Sequence, residues 1–256
     1  MPVGFVSFGS PSSITNLVKG QAFFKWARTF PRPKAILVIS NRWVTPWPTL
    51  GTIISKPLIY DFQREREDLY QIQYSAPAAI ELAEKLKGIL KSQYGECHRD
   101  LDRGWDSGVW GPLYQMFPYA DIPVLQMSLP SQFTPTELIQ LGKLIAPLRK
   151  QKVLILTTGA ITQKNEAEAL SEKSSPPAWA VDFDRWCERV LLDWNVKELV
   201  GFNLVAKGYS EAHPTEEPFL PLLIAVGAGI VYTKHLKFPI VGFEPGGFSR
   251  RCVQFG

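Results

Sequence analysis

The chain has 256 residues, 45% of them hydrophobic and 20% charged, with 21 prolines, 8 tryptophans and a formal net charge of +4. That is enough chain to bury a sizeable core, and the composition excludes a disordered protein. The basic residues are scattered, as in Lys85, Lys87, Lys91 and Arg149, Lys150, Lys152, with no basic stripe interleaved with aromatics, which argues against a nucleic-acid partner.

Val3–Phe8 reads as a first strand, since a signal peptide would need a basic leader and a longer apolar run. Ser12 or Ser13 is expected to cap a helix through Ile14, Leu17, Val18 and Phe24 toward Arg28, broken by Pro31 and Pro33. Ala35–Ser40 is a continuous apolar run, the mark of a strand buried on both faces. Pro77–Gln93 carries Ile80, Ala83, Leu86, Ile89 and Leu90 at helical spacing and stops at Gly95.

Ile122–Leu129 is a second buried strand, and Thr134 with Glu137 forms a capping box for a helix reaching about Pro147. Val153–Thr158 is a third, ending at Gly159. A polar loop over Lys164–Pro177 precedes a helix from Ala178 to Trp194. A last helix is expected over Pro214–Val226, then short strands at Phe238–Phe243 and Arg250–Phe255. The alternation predicts one α/β domain over residues 1–256, layered, with a largely parallel central sheet flanked by helices.

Cys97, Cys187 and Cys252 are odd in number and far apart, which fits neither a disulfide framework nor a structural zinc site and suits a reducing, cytoplasmic setting. Phe219–Val231, interrupted by Pro221, is too short to span a bilayer, so no membrane association is expected. Oligomeric state is left open. In open α/β sheets sites form where loops leave the carboxyl ends of the strands. Phe8, Arg42 and Gln163 each follow a predicted strand, so the three are expected to converge.

Several collinear segments carry a family resemblance. They include Gly9-Ser10-Pro11, Arg32-Pro33-Lys34-Ala35, Ile59-Tyr60-Asp61-Phe62, Tyr74-Ser75-Ala76-Pro77, Ala120-Asp121-Ile122-Pro123 and Pro214-Thr215-Glu216-Glu217. Over nearly its whole length the chain resembles the class III extradiol ring-cleavage dioxygenases of the DOPA-dioxygenase type. The resemblance implies their layered α/β fold, and in that family histidines hold a non-haem iron that cleaves a catechol ring with dioxygen. At each position where the resemblance places such a histidine, this chain has another residue: Phe8, Arg42, Ser107, Gln163 and Pro218.

Phenylalanine and proline offer no ligand atom, and arginine does not deprotonate to become one. Serine and glutamine are weak neutral donors where a first-row metal favours imidazole or carboxylate. A guanidinium would also repel a divalent cation by roughly 4 kcal/mol per unit charge pair at about 4 Å and an effective dielectric near 20. The reading therefore expects no metal and no cofactor at this site.

Arg42 is expected either to hold a carboxylate or enolate of a small ligand, or to form an internal salt bridge with Glu217 or Asp106. His213 is a general acid or base, or a helix-start histidine with a satisfied hydrogen bond. Ser107 near His213 invites a nucleophile–base reading, although no Gly-x-Ser-x-Gly elbow is present. Phe8, Trp43, Trp105 and Trp110 line an aromatic pocket for a planar ligand or belong to the core. Gln163 bonds a ligand carbonyl or caps its strand, and Glu217 completes the candidate ligand-binding set.

Three functions stay open: a metal-independent enzyme on a small aromatic or carboxylated metabolite, a non-catalytic pseudoenzyme that binds a ligand or protein, and an active iron dioxygenase with unorthodox ligands.

Overall fold

A computed structural model describes residues 1–9, 13–51, 56–63, 65–163, 165 and 175–256. Its eight-stranded sheet is built from β1 (Val3–Ser7), β2 (Ala35–Thr45), β3 (Thr49–Leu50), β4 (His98–Arg99), β5 (Val124–Pro130), β6 (Val153–Gly159), β7 (Leu236–Lys237) and β10 (Val253–Phe255), in the order β4-β3-β5-β2-β6-β1-β10-β7. The central four, β5-β2-β6-β1, are parallel. Antiparallel pairs close both flanks, β3 on β5 and β10 on β1. β8 (Phe243–Glu244) and β9 (Phe248–Ser249) form a separate hairpin.

The apolar runs are explained by two cores, one on each face. Leu37, Ile39, Leu125, Met127 and Ile155 point into one, and Ile36, Val38, Val124, Leu154 and Leu156 into the other. Neighbouring residues of a strand point to opposite faces, so a strand covered on both sides must be apolar throughout. The first core packs α2 (Ile80–Tyr94), α4 (Pro135–Ile145), α5 (Ala178–Leu192) and α9 (Leu220–Ile230) against the sheet, and the second packs α1 (Leu17–Ala27) and α3 (Ser107–Met116). Short helices α6 (Val196–Val200), α7 (Phe202–Val205) and α8 (Tyr209–Ala212) join α5 to the last turn of chain before α9.

The expected α/β architecture is present, with local corrections. α1 is capped by Asn16, whose side chain accepts from Lys19 N at 3.1 Å, so Ile14 precedes the helix. Ser12 lies outside the described residues. Leu17 and Val18, expected on the apolar face, are 83% and 78% exposed, and Phe23, Trp26 and Ala27 face the core instead. The last helix starts at Leu220, later than the expected Pro214, because the intervening segment makes a turn that docks on β6. Most of the expected Phe238–Phe243 strand is irregular; β7 ends at Lys237 and β8 begins at Phe243. The polar loop before α5 falls largely outside the described residues. Thr134 and Glu137 form the expected capping box. Among the described residues no helix is long and apolar enough to cross a membrane.

Candidate functional site

The parallel strands end together. Ser40 is in register with Ser128 on β5 and with Thr158 on β6, and Ser7 is in register with Gly159. Beyond Ser40 the pairing of β2 with β5 slips, resuming only at Val44. The intervening Asn41, Arg42 and Trp43 bulge from the ladder, and such bulges re-aim side chains at sheet rims.

α3 begins beneath this bulge. Its first two amides are taken by two carboxylates: Ser107 N donates to Asp61 Oδ1 at 2.9 Å, and Gly108 N to Asp106 Oδ1 at 3.1 Å. Negative charge suits the start of a helix, where backbone N–H groups lack partners. Gly108 matters for a related reason: a Cβ there would collide with Ser40 Oγ. Only glycine lets α3 approach the strand ends so closely.

Arg42 does not pair with Glu217 or Asp106. Its Nη1 lies 3.1 Å from Asp61 Oδ2, with both side chains partly exposed. Asp106 pairs with Arg103 at 3.2 Å and accepts from Gln126 Nε2 at 2.5 Å. Arg103 also donates to the Arg42 carbonyl at 3.4 Å, and its guanidinium lies 4.9 Å from the Trp43 ring. Two arginines and two aspartates thus form one charged chain, Asp61–Arg42–Arg103–Asp106, in which the two arginines are joined through the Arg42 carbonyl. Burial pushes the Asp106 carboxyl above its ordinary range and the Asp61 charge adds to this, while bonds from Ser40, Gln126 and Arg103 oppose it.

The second group of expected residues sits around the turn before α9. Gln163 Nε2 donates to Thr215 O at 2.8 Å, and its backbone N to Ala212 O at 3.0 Å. Pro218 O accepts from Ala160 N at 2.7 Å. His213 is 3% exposed, with Nε2 2.7 Å from Ile161 O. Its ring meets Phe183 at 4.9 Å and Phe219 at 5.2 Å, and stacks on Tyr209. Burial lowers its pKa to about 4 despite the Ile161 and Thr215 backbones, so the ring is neutral at pH 7. Glu217 is exposed and lines a cavity of about 260 Å³ with Val44, Phe133 and Thr215.

The expected residues therefore form two groups. Arg42, Trp43 and Ser107 share the charged chain, while Gln163, His213 and Glu217 hold the turn before α9. Ser107 Oγ is buried without a hydrogen-bond partner among the described residues, and His213 Nε2 is committed to a carbonyl. No nucleophile–base pair joins them. Phe8 packs on Gly111 and Ile14, and Trp110 and the half-buried Trp105 belong to the same core cluster. The anticipated aromatic pocket is largely core; only Trp43 touches the charged chain.

Asp61, Arg103 and Gln126 belong to the site although sequence reasoning does not single them out. Gln126 carries a usable signal, a lone amide inside a buried apolar strand. Asp61 reaches Arg42 from a loop 19 residues along the chain, and Arg103 stands three residues before Asp106 in a loop with no pattern that marks it.

Known proteins fit this picture. Residues 13–242 match the model of the LigB family, the catalytic LigB subunit of aromatic ring-opening dioxygenase. A 4,5-DOPA dioxygenase extradiol of Beta vulgaris is 37% identical over 230 residues, 88% of this chain and 85% of that protein. Its Escherichia coli K12 counterpart is 32% identical over 265 residues, covering 100% of this chain and 95% of that protein. The crystal structure of an uncharacterized E. coli K12 protein superposes with a TM-score of 0.85 at 28% identity, covering 100% of both chains. With matching motifs, a shared fold and near-complete coverage, the chain belongs to the LigB family of class III extradiol ring-opening dioxygenases and is a homologue of the 4,5-DOPA dioxygenases.

Proposed function

We propose that this chain has given up metal-dependent ring opening and uses the rim around Arg42 to bind a small aromatic carboxylate without turning it over. The observation that carries this reading is the guanidinium of Arg42, held by Asp61 at 3.1 Å in the segment where the resemblance places a ligating histidine. Phe8, Arg42, Ser107, Gln163 and Pro218 do not fit an iron or zinc ion: none supplies imidazole or carboxylate. Among the described residues no three His, Cys, Asp or Glu side chains group as a metal site. Asp61 and Asp106 are both spent on arginines and helix amides.

Arg42 gives only Nη1 to Asp61. Its remaining N–H groups have no partner among the described residues, and a planar fork of such donors suits a ligand carboxylate. The next residue, Trp43, is buried and its ring lies under Arg103, which braces the segment that carries Arg42. A non-catalytic role is supported by Ser107 and His213, which form no catalytic pair. Metal-independent turnover is the second reading, favoured by one feature: a buried carboxyl, Asp106, set beside Asp61 and pushed above its ordinary range by burial.

Titration calorimetry with DOPA in the presence of a chelator tests the proposal. Binding should persist in chelator and weaken at least tenfold in Arg42→Ala. An exposed ion pair contributes only about 1 kcal/mol or less, so the variant should fold. Binding that requires added metal, or that ignores Arg42, would overturn the reading.

A further inference from the structure

At the opposite end of the parallel strands, far in the topology from the Arg42 rim, lies a cavity of about 770 Å³. It is well within the range for a small-molecule site. Its floor is apolar, from Ala35 and Val153, which start β2 and β6, and from Leu82 in the first turn of α2. Its rim is basic: Lys34, Lys85, Lys150 and Lys152 against a single carboxylate, Glu81. None of the four lysines has an ion-pair partner among the described residues. Lys85 bonds the Gln151 side chain, and Lys150 lies 4.6 Å from the Tyr232 ring, which leaves Lys34 and Lys152 free to meet a ligand.

Lys152 reaches the rim from the end of a helical turn. Its φ is +63°, in the left-handed region that favours glycine. It caps the helical turn over Ala146–Gln151, where the left-handed conformation is common, and its exposed side chain stands at the cavity rim. α2 also starts in this cavity with Ala79 as its N-cap, so no side-chain oxygen covers its first amides, and the positive end of the helix reinforces the lysines.

We propose that this cavity binds a small organic phosphate, a di- or triphosphate joined to a flat apolar group. Lys34 and Lys152 hold the phosphates as point charges, and the apolar group lies on Ala35, Leu82 and Val153. Calorimetry of the full chain with ATP as the probe should give saturable binding that weakens with salt. The double variant Lys34→Gln/Lys152→Gly should weaken it at least tenfold while Tm holds or rises, because glycine suits that backbone. Pyrophosphate should bind more weakly than ATP. Absence of binding at millimolar ATP, binding that survives the double variant, or equal affinity for pyrophosphate would each overturn the proposal.

Discussion

At the scale of single residues, burial decides what each polar group does. His213 is the clearest case, since an ordinary histidine titrates near pH 6.5 and this one near 4. Between those values the unfolded chain binds a proton that the folded chain does not. Stability from this group is therefore full above about pH 6.5 and is lost as pH falls toward 4, by up to about 3 kcal/mol. His213→Gln should flatten that slope, read as urea unfolding at pH 7 and pH 5; an unchanged slope would assign it to another group. Asp106 has the larger structural role. Asp106→Ala leaves the buried Gln126 amide without its acceptor, removes the partner of the half-buried Arg103 and uncaps α3, which should cost about 2–4 kcal/mol. Arg42→Ala should cost about 1 kcal/mol or less, a contrast that chemical denaturation resolves.

Among the elements, close approach of backbones sets what substitutions the fold accepts. A Cβ at Gly159 would strike the Pro218 carbonyl, whereas a Cβ at Gly88, in the middle of α2, would meet nothing within 4 Å. Gly159→Ala should therefore destabilise by about 1–3 kcal/mol or more, and Gly88→Ala should stabilise by about 0.5–1 kcal/mol. The two midpoints should move in opposite directions. The same distinction explains what can be read from the sequence. Strands covered on both faces declare themselves as unbroken apolar runs, so β2, β5 and β6 are legible, as is α4 through its capping box. α3 is not: its Ser107-Gly108-Val109-Trp110-Gly111-Pro112 start, with two glycines and a proline, looks unlike a helix. It forms because two carboxylates hold its amides and glycines admit it to the strand ends. The short helices after α5 depend on packing of Phe202 and Tyr209 around His213 and Phe219, which no local pattern announces.

For the whole molecule, the fold is far more legible than the site. The sheet and the motif order are those of a ring-opening dioxygenase family, and both are visible as a resemblance carried by short segments. The partners of Arg42 and Asp106 are not visible, because Asp61 and Gln126 reach them from loops and strands far along the chain. Phe8, Arg42, Ser107, Gln163 and Pro218 present a ring packed on Gly111, a paired guanidinium, a buried hydroxyl, an amide bonded to Thr215 and a carbonyl that accepts from Ala160. The most direct measurement is metal content together with oxygen uptake after anaerobic loading with ferrous iron and addition of DOPA. A metal-independent site predicts iron far below stoichiometric and no DOPA-dependent oxygen uptake. Stoichiometric iron, with ring opening that a chelator abolishes, would contradict it.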